Sequence, residues 1–331
     1  MNVVYRYMCA AAIVLTGLAP SHAATLGQPN PDCDWKGPPT VDLYLRSDFN
    51  DLGPLFCPPP DSFISAQGAS LSSTNNIPTR QNTASVDGLA ALVFRFYGKA
   101  PFNGISVGAY VLGSGAYSFQ PTASQTSTSD TVTAGLFTQT SFGNPLIGML
   151  PEGGGYDSFR LRGGEVTSST GTFSTSLVGE WFPVYTVWGP LRFGDKYNIQ
   201  GTPLYYVLNP ELMVQYDRYD SGPNKYLLFA VNSEALRVGP QIAAQLGINE
   251  KYLPQISPQI RDFLGATTAL FSYHTSWDIY THREYSFTSI SATYTFGANH
   301  NFGLTAGYST GNSEATGNIG SQVKLGLSAK L

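Results

Sequence analysis

The chain has 331 residues, of which 12% are charged, and a formal net charge of −4. A soluble domain averages about 25% charged residues, and the near-neutral balance without a basic stripe excludes a nucleic-acid partner. Past the N-terminal leader no apolar run reaches the ~18 residues of a membrane helix, whereas 13% aromatics, 35 glycines and abundant Ser and Thr suit strands and turns.

Residues 1–23 read as a secretory signal. Arg6 supplies the basic start, 9–19 the apolar stretch, and Pro20, Ser21, His22 and Ala23 a small-residue cleavage site ahead of Ala24. Cys9 lies at the start of that stretch and is an inert part of it. Residues 24–80 form an N-terminal arm rich in Pro, Ser and Asn, with one extended piece at 40–46, which folds against the body that follows or partly into it. Its two cysteines, Cys33 and Cys57, are expected to pair, because the chain is exported and nothing else is available to bond them. A loop of that size gains ~3 kcal/mol from closure. No His lies near to make up a metal set, and neither a metal nor another cofactor is indicated.

The body, 81–331, is a succession of alternating stretches. Ala90, Leu92, Phe94 and Phe96 alternate with Ala91, Val93, Arg95 and Tyr97; after a turn at 98–104, Ile105, Val107, Ala109 and Val111 alternate with Ser106, Gly108, Tyr110 and Leu112, as in a hairpin. Further strands are predicted at 131–141, 156–165, 172–182, 184–193, 203–219, 226–232, 234–246, 263–274, 285–296, 301–308 and 322–331. The stretch 247–265, with Pro254 and Pro258, accommodates a short helix. Aromatics gather near predicted strand ends: Trp181, Phe182, Tyr185 and Trp188; Tyr205, Tyr206, Tyr216 and Tyr219; Trp277, Tyr280 and Tyr285.

The last stretch is the most regular. Val323, Leu325, Leu327, Ala329 and Leu331 share one face, and Gln322, Lys324, Gly326, Ser328 and Lys330 the other. Ile290, Ala292, Tyr294 and Phe296, and then Phe302, Leu304, Ala306 and Tyr308, repeat the pattern upstream. In these features the chain resembles the β-barrel proteins of the Gram-negative outer membrane, departing from them in ending on Leu331 where Phe is usual. The resemblance implies an all-β fold, a transmembrane antiparallel β-barrel of even strand number, about 12 within a range of 10 to 14, with an N-terminal extension. It further implies contact with outer-membrane lipid and lipopolysaccharide, insertion by the barrel-assembly machinery through the C-terminal strand, small solutes as cargo, and a possible homo-oligomer. Aromatic girdles at the two interfaces account for the strand-end rings. The tight turn 297–300 and the long polar connection 309–320 place the chain end on the periplasmic side. The soluble alternative is a secreted β-sandwich.

If the apolar faces meet lipid, Arg95, Arg160, Arg162, Arg237, Lys324 and Lys330 point into the lumen with Glu211 and Asp217. This basic lean suits a passive channel for small polar or anionic solutes; the same residues, paired across the lumen, would plug it. Two other classes stand beside the channel. A lipid-modifying hydrolase would draw on Ser272 and His274, with His282, Asp278 and Glu284 nearby, although residues two apart in a strand are too distant for a direct bond. A surface adhesin or structural protein would use the polar connections 120–130 and 309–320.

Overall fold

The computed structural model describes residues 39–46, 49, 52, 55, 69–76, 81–97, 102–119, 128–143, 155–168, 173–185, 192–194, 196–221, 234–253, 256–297, 302–312 and 319–329. The leader, Cys33, Cys57, Trp188, Lys330 and the predicted strand 226–232 lie outside them.

Fourteen strands, one α-helix and a 3-10 turn at Glu250–Tyr252 are described: β1 (Thr40–Arg46), β2 (Ala69–Asn76), β3 (Gln81–Tyr97), β4 (Phe102–Phe119), β5 (Thr128–Gly143), β6 (Gly155–Ser168), β7 (Phe173–Tyr185), β8 (Tyr197–Asn198), β9 (Leu204–Ser221), β10 (Glu234–Ile248), α1 (Pro258–Gly265), β11 (Thr267–Asp278), β12 (Arg283–Phe296), β13 (Phe302–Asn312) and β14 (Ile319–Ala329). Twelve of the strands form a closed antiparallel ring: each from β2 to β7 and from β9 to β14 pairs with the next, and β14 returns to β2. The twelve-strand barrel expected from the alternation is therefore the fold. The stretches 172–182 and 184–193 are not two strands, because β7 ends at Tyr185 and only a bridge to Phe193 continues the pairing.

Alternation determines the wall. Leu136, Val41, Leu325, Leu71 and Ile290, each more than half exposed, point outward, and their neighbours Phe137, Asp42, Lys324, Ser72 and Ser289 point inward. An apolar exterior of this extent cannot face water. Ring pairs mark the rim at which β14 ends: Phe142 edge-on to Phe159 at 6.4 Å, and, stacked, Tyr294 with Phe296 at 6.0 Å and Phe296 with Phe302 at 5.7 Å. At the same rim the Trp181 indole and the Tyr185 hydroxyl both donate to Asp157, at 3.0 and 2.5 Å, so amphipathic rings there keep a polar partner. Phe182, Tyr205 and Tyr285 depart from the girdle reading. They face inward, beneath Arg160, Lys196 and Arg237.

Connection lengths do not sort by rim. The longest, 186–203 and 249–266, lie at the β14-end rim, beside the short 98–101, and the opposite rim holds 77–80 and 222–233. The length rule therefore does not assign the two rims to the two sides of the membrane, contrary to the expectation drawn from the last two connections.

The chain enters the wall in an unusual way. β2 pairs with one edge of β3 from Asn76↔Gln81 to Ser70↔Asp87, and β1 pairs with the same edge from Arg46↔Leu89 to Thr40↔Arg95. β1 and β2 are thus two collinear halves flanking Gly88. Of the residues between them Phe49, Leu52 and Leu55 are described, and they make an excursion into the barrel. They are buried with Leu89, Ala91, Val93, Tyr110 and Phe137 in one hydrophobic cluster. This explains why β3 is apolar on both faces. The arm folds into the barrel, and it supplies two strands of the sheet.

Candidate functional site

Five of the six predicted lumen cations are described, and all five point inward against a carboxylate. Arg95 Nε donates to Asp42 Oδ2 at 3.0 Å, and its Nη1 to the Leu55 carbonyl at 3.3 Å. Arg160 and Arg162 converge on Glu180. Arg160 Nη1 reaches Oε2 at 3.2 Å, and Arg162 Nε reaches Oε1 at 3.0 Å. Arg160 also donates to Gln139 Oε1 at 3.1 Å and to the Phe49 carbonyl at 2.9 Å. The Phe49 ring lies 4.7 Å from the Arg162 guanidinium carbon. Arg237 Nη1 donates to Asp217 at 3.0 Å, with Gln215 donating to the same oxygen at 2.8 Å. Lys324 Nζ is 3.8 Å from Asp87 Oδ2, whose other oxygen accepts from Ser114 at 2.7 Å. Glu211 points inward opposite Gln241.

Sequence reasoning found the cations and missed most of their partners. Asp42, Asp87 and Glu180 were not assigned to the lumen, although Glu180 falls out of phase with Leu177 and Trp181 on its own strand and so belongs to the inward face. These partners offset the basic lean. A net positive charge remains at the Arg160–Arg162–Glu180 triad, and that triad lies beneath Phe49.

The lumen has two unlike sectors. From β3 to β7 it is filled: the Arg160 and Glu180 side chains are 2% and 1% exposed, and Ser106, Gln139, Ser141 and Ser158 are fully buried. From β11 through β14 to β2 the inward face consists mostly of small residues. Hydroxyls pair across the strands as Ser272 with Ser289 at 2.7 Å, Thr293 with Thr305 at 2.8 Å and, between β2 and β3, Ser72 with Ser85 at 2.7 Å. Gly303, Gly307 and Gly326 continue this face. Lys324 stands among them with its side chain 46% exposed.

The residues of the hydrolase alternative do not converge. Ser272 bonds Ser289, and Asp278 Oδ1 accepts the Tyr280 and Thr281 amides that close the β11–β12 turn, at 2.9 and 3.1 Å. Glu284 meets Thr275 on the outward face, opposite to the side on which His274 lies. Among the described residues, no three His, Cys, Asp or Glu side chains cluster as a metal site.

No family model and no curated protein matches the chain. Solved structures of similar fold include the β domain of the Bordetella autotransporter BrkA (9% identity, TM-score 0.44, covering 88% of this chain and 99% of that one). They also include the outer-membrane phospholipase OMPLA of Salmonella typhi (11%, 0.40, 85% and 95%) and the porin NanC (7%, 0.38, 80% and 100%). With a closed ring of twelve antiparallel strands, an apolar exterior and a polar interior, the chain is an outer-membrane β-barrel protein.

Proposed function

We propose that this barrel is a passive channel for small polar solutes, with its path along the hydroxyl- and glycine-lined wall from β11 through β14 to β2. The observation that carries the reading is the contrast in exposure among the inward charges. Lys324 is 46% exposed, whereas Arg160 and Arg237 are 2% and 4% exposed. A small-residue wall with one accessible, paired cation passes uncharged solutes and tolerates anions, since pore diameter and fixed charge together set selectivity. Insertion through recognition of β14 by the barrel-assembly machinery, and contact with lipopolysaccharide, belong to the same proposal.

Planar-bilayer conductance of the refolded protein tests it. Discrete steps are expected, with a reversal potential in a salt gradient close to zero or weakly anion-selective. Lys324→Glu is expected to move that potential toward cations, because it places two acids side by side on the path. Asp220→Asn, at an exposed outward pair with Arg218, is expected to leave it unchanged. The packing of Phe49, Leu52 and Leu55 favours a second reading, a barrel plugged throughout that acts as a structural or surface protein. Silence from a demonstrably folded barrel would establish that reading in place of the channel.

A further inference from the structure

Between β10 and β11 the chain forms α1, eight residues that bury none of their side chains. A helix this short is marginal in water by itself, so its one apolar face calls for a partner. Ile260 and Phe263, three apart and therefore on one face, are 54% and 51% exposed. The Phe263 ring lies 5.0 Å from Tyr294, the first ring of the outward row that runs through Phe296 to Phe302 along the same rim. The opposite face carries Pro258 and Asp262, four apart and both exposed.

We propose that α1 is an interfacial helix, lying in the headgroup plane of the leaflet at the β14-end rim with Ile260 and Phe263 dipped into the acyl boundary. Three observations select the bilayer as occupant. The apolar face of the helix adjoins the lipid-facing surface of the barrel. The ring contact with Tyr294 fixes its height at the aromatic rim, where amphipathic side chains sit between water and hydrocarbon. The division of its faces is that of helices that lie along membranes and do not cross them.

The test uses the barrel in phospholipid vesicles, with spin labels placed singly at 258, 260, 262 and 263 in a chain whose cysteines are replaced by Ser. Leu304, on the lipid face, is the reference, and heat-dependent gel migration verifies folding. Labels at 260 and 263 are expected to be accessible to oxygen and shielded from a water-soluble nickel chelate, as at 304, with the reverse at 258 and 262. Equal nickel access at all four positions would overturn the proposal by placing the helix in water. Shielding of all four from both reagents would overturn it in favour of a protein partner, including a second copy of the chain. Should the cysteine-free chain not fold, single Trp substitutions at 260 and 263 in the native-cysteine chain are read instead, by quenching from brominated acyl chains in excess of the parent. Added quenching supports the proposal, and its absence overturns it.

Discussion

Glu180 receives Arg160 from directly across the β6–β7 pair and Arg162 from the diagonal position. One carboxylate thus compensates two guanidinium groups, and it is buried together with Arg160. Removing one partner of such a cluster leaves an uncompensated buried charge. Glu180→Gln is expected to destabilise the barrel by about 3–5 kcal/mol, read from urea-induced unfolding in detergent. The outward Arg218–Asp220 pair, 63% and 37% exposed, is a useful contrast. Asp220→Asn should change stability by no more than about 1 kcal/mol. Glycine also acts at this scale. Gly164 faces Gly135 across β5 and β6, and a Cβ on Gly164 would lie 2.7 Å from the Tyr110 hydroxyl. The missing side chain gives Tyr110 room to lie against the wall, where its ring centroid is 4.5 Å from that of Phe49 in an edge contact.

Phe49, Leu52 and Leu55 are spaced three apart, and the Leu52 amide donates to the Phe49 carbonyl at 3.1 Å, which turns the chain tightly enough to put all three rings and branches on one side. The wall beneath them answers with Leu89, Ala91 and Val93. If this element left the lumen, that apolar strip would face water, so the filling is permanent and not a swinging gate. Phe49→Ala should cost about 3–5 kcal/mol as a large-to-small core substitution, measured by the same urea titration. It also removes the ring beside Arg162 without touching the β11–β14 wall. Some of this was legible in the sequence. The extended piece at 40–46 and the two-faced apolar pattern of 89–93 were visible, and the latter is a signal that something packs inside. The excursion itself was hidden, because Leu52 stands among Asn50, Asp51, Gly53 and Pro54, which read as a turn. β2 was hidden for a related reason: of its eight residues, only Ala69 and Leu71 offer an apolar outward face, and the rest are Ser, Thr and Asn.

For the molecule as a whole, strand period and the scarcity of charge determined the class. Period 2 places whole side-chain sets on one face or the other, and a ring has no edge at which that assignment can slip. The interior resisted prediction because lumen contacts join residues far apart in sequence, such as Lys324 with Asp87 and Arg160 with Phe49, which no local pattern reports. The division of faces gives a direct check at this scale. Leu325→Arg, outward near the middle of β14, is expected to lower stability by about 2–4 kcal/mol in bilayers, the cost of a cation on the lipid face near mid-depth. Substitutions at its inward neighbour Lys324 should change conductance and leave stability near that of the parent.

The interruption of the wall at Gly88 bears on how the molecule is made. β2 is the strand that closes the ring against β14, and Phe49, Leu52 and Leu55 hang from the same stretch of chain just before it. Closure therefore unites the first and last strands of the ring, a pairing that loop entropy makes slow, and the inner segment must be seated before the seam shuts or be left outside. The topology thus implies an order of biogenesis, filling first and seam second, and a barrel that closes without the filling is expected to be a different, hollow product.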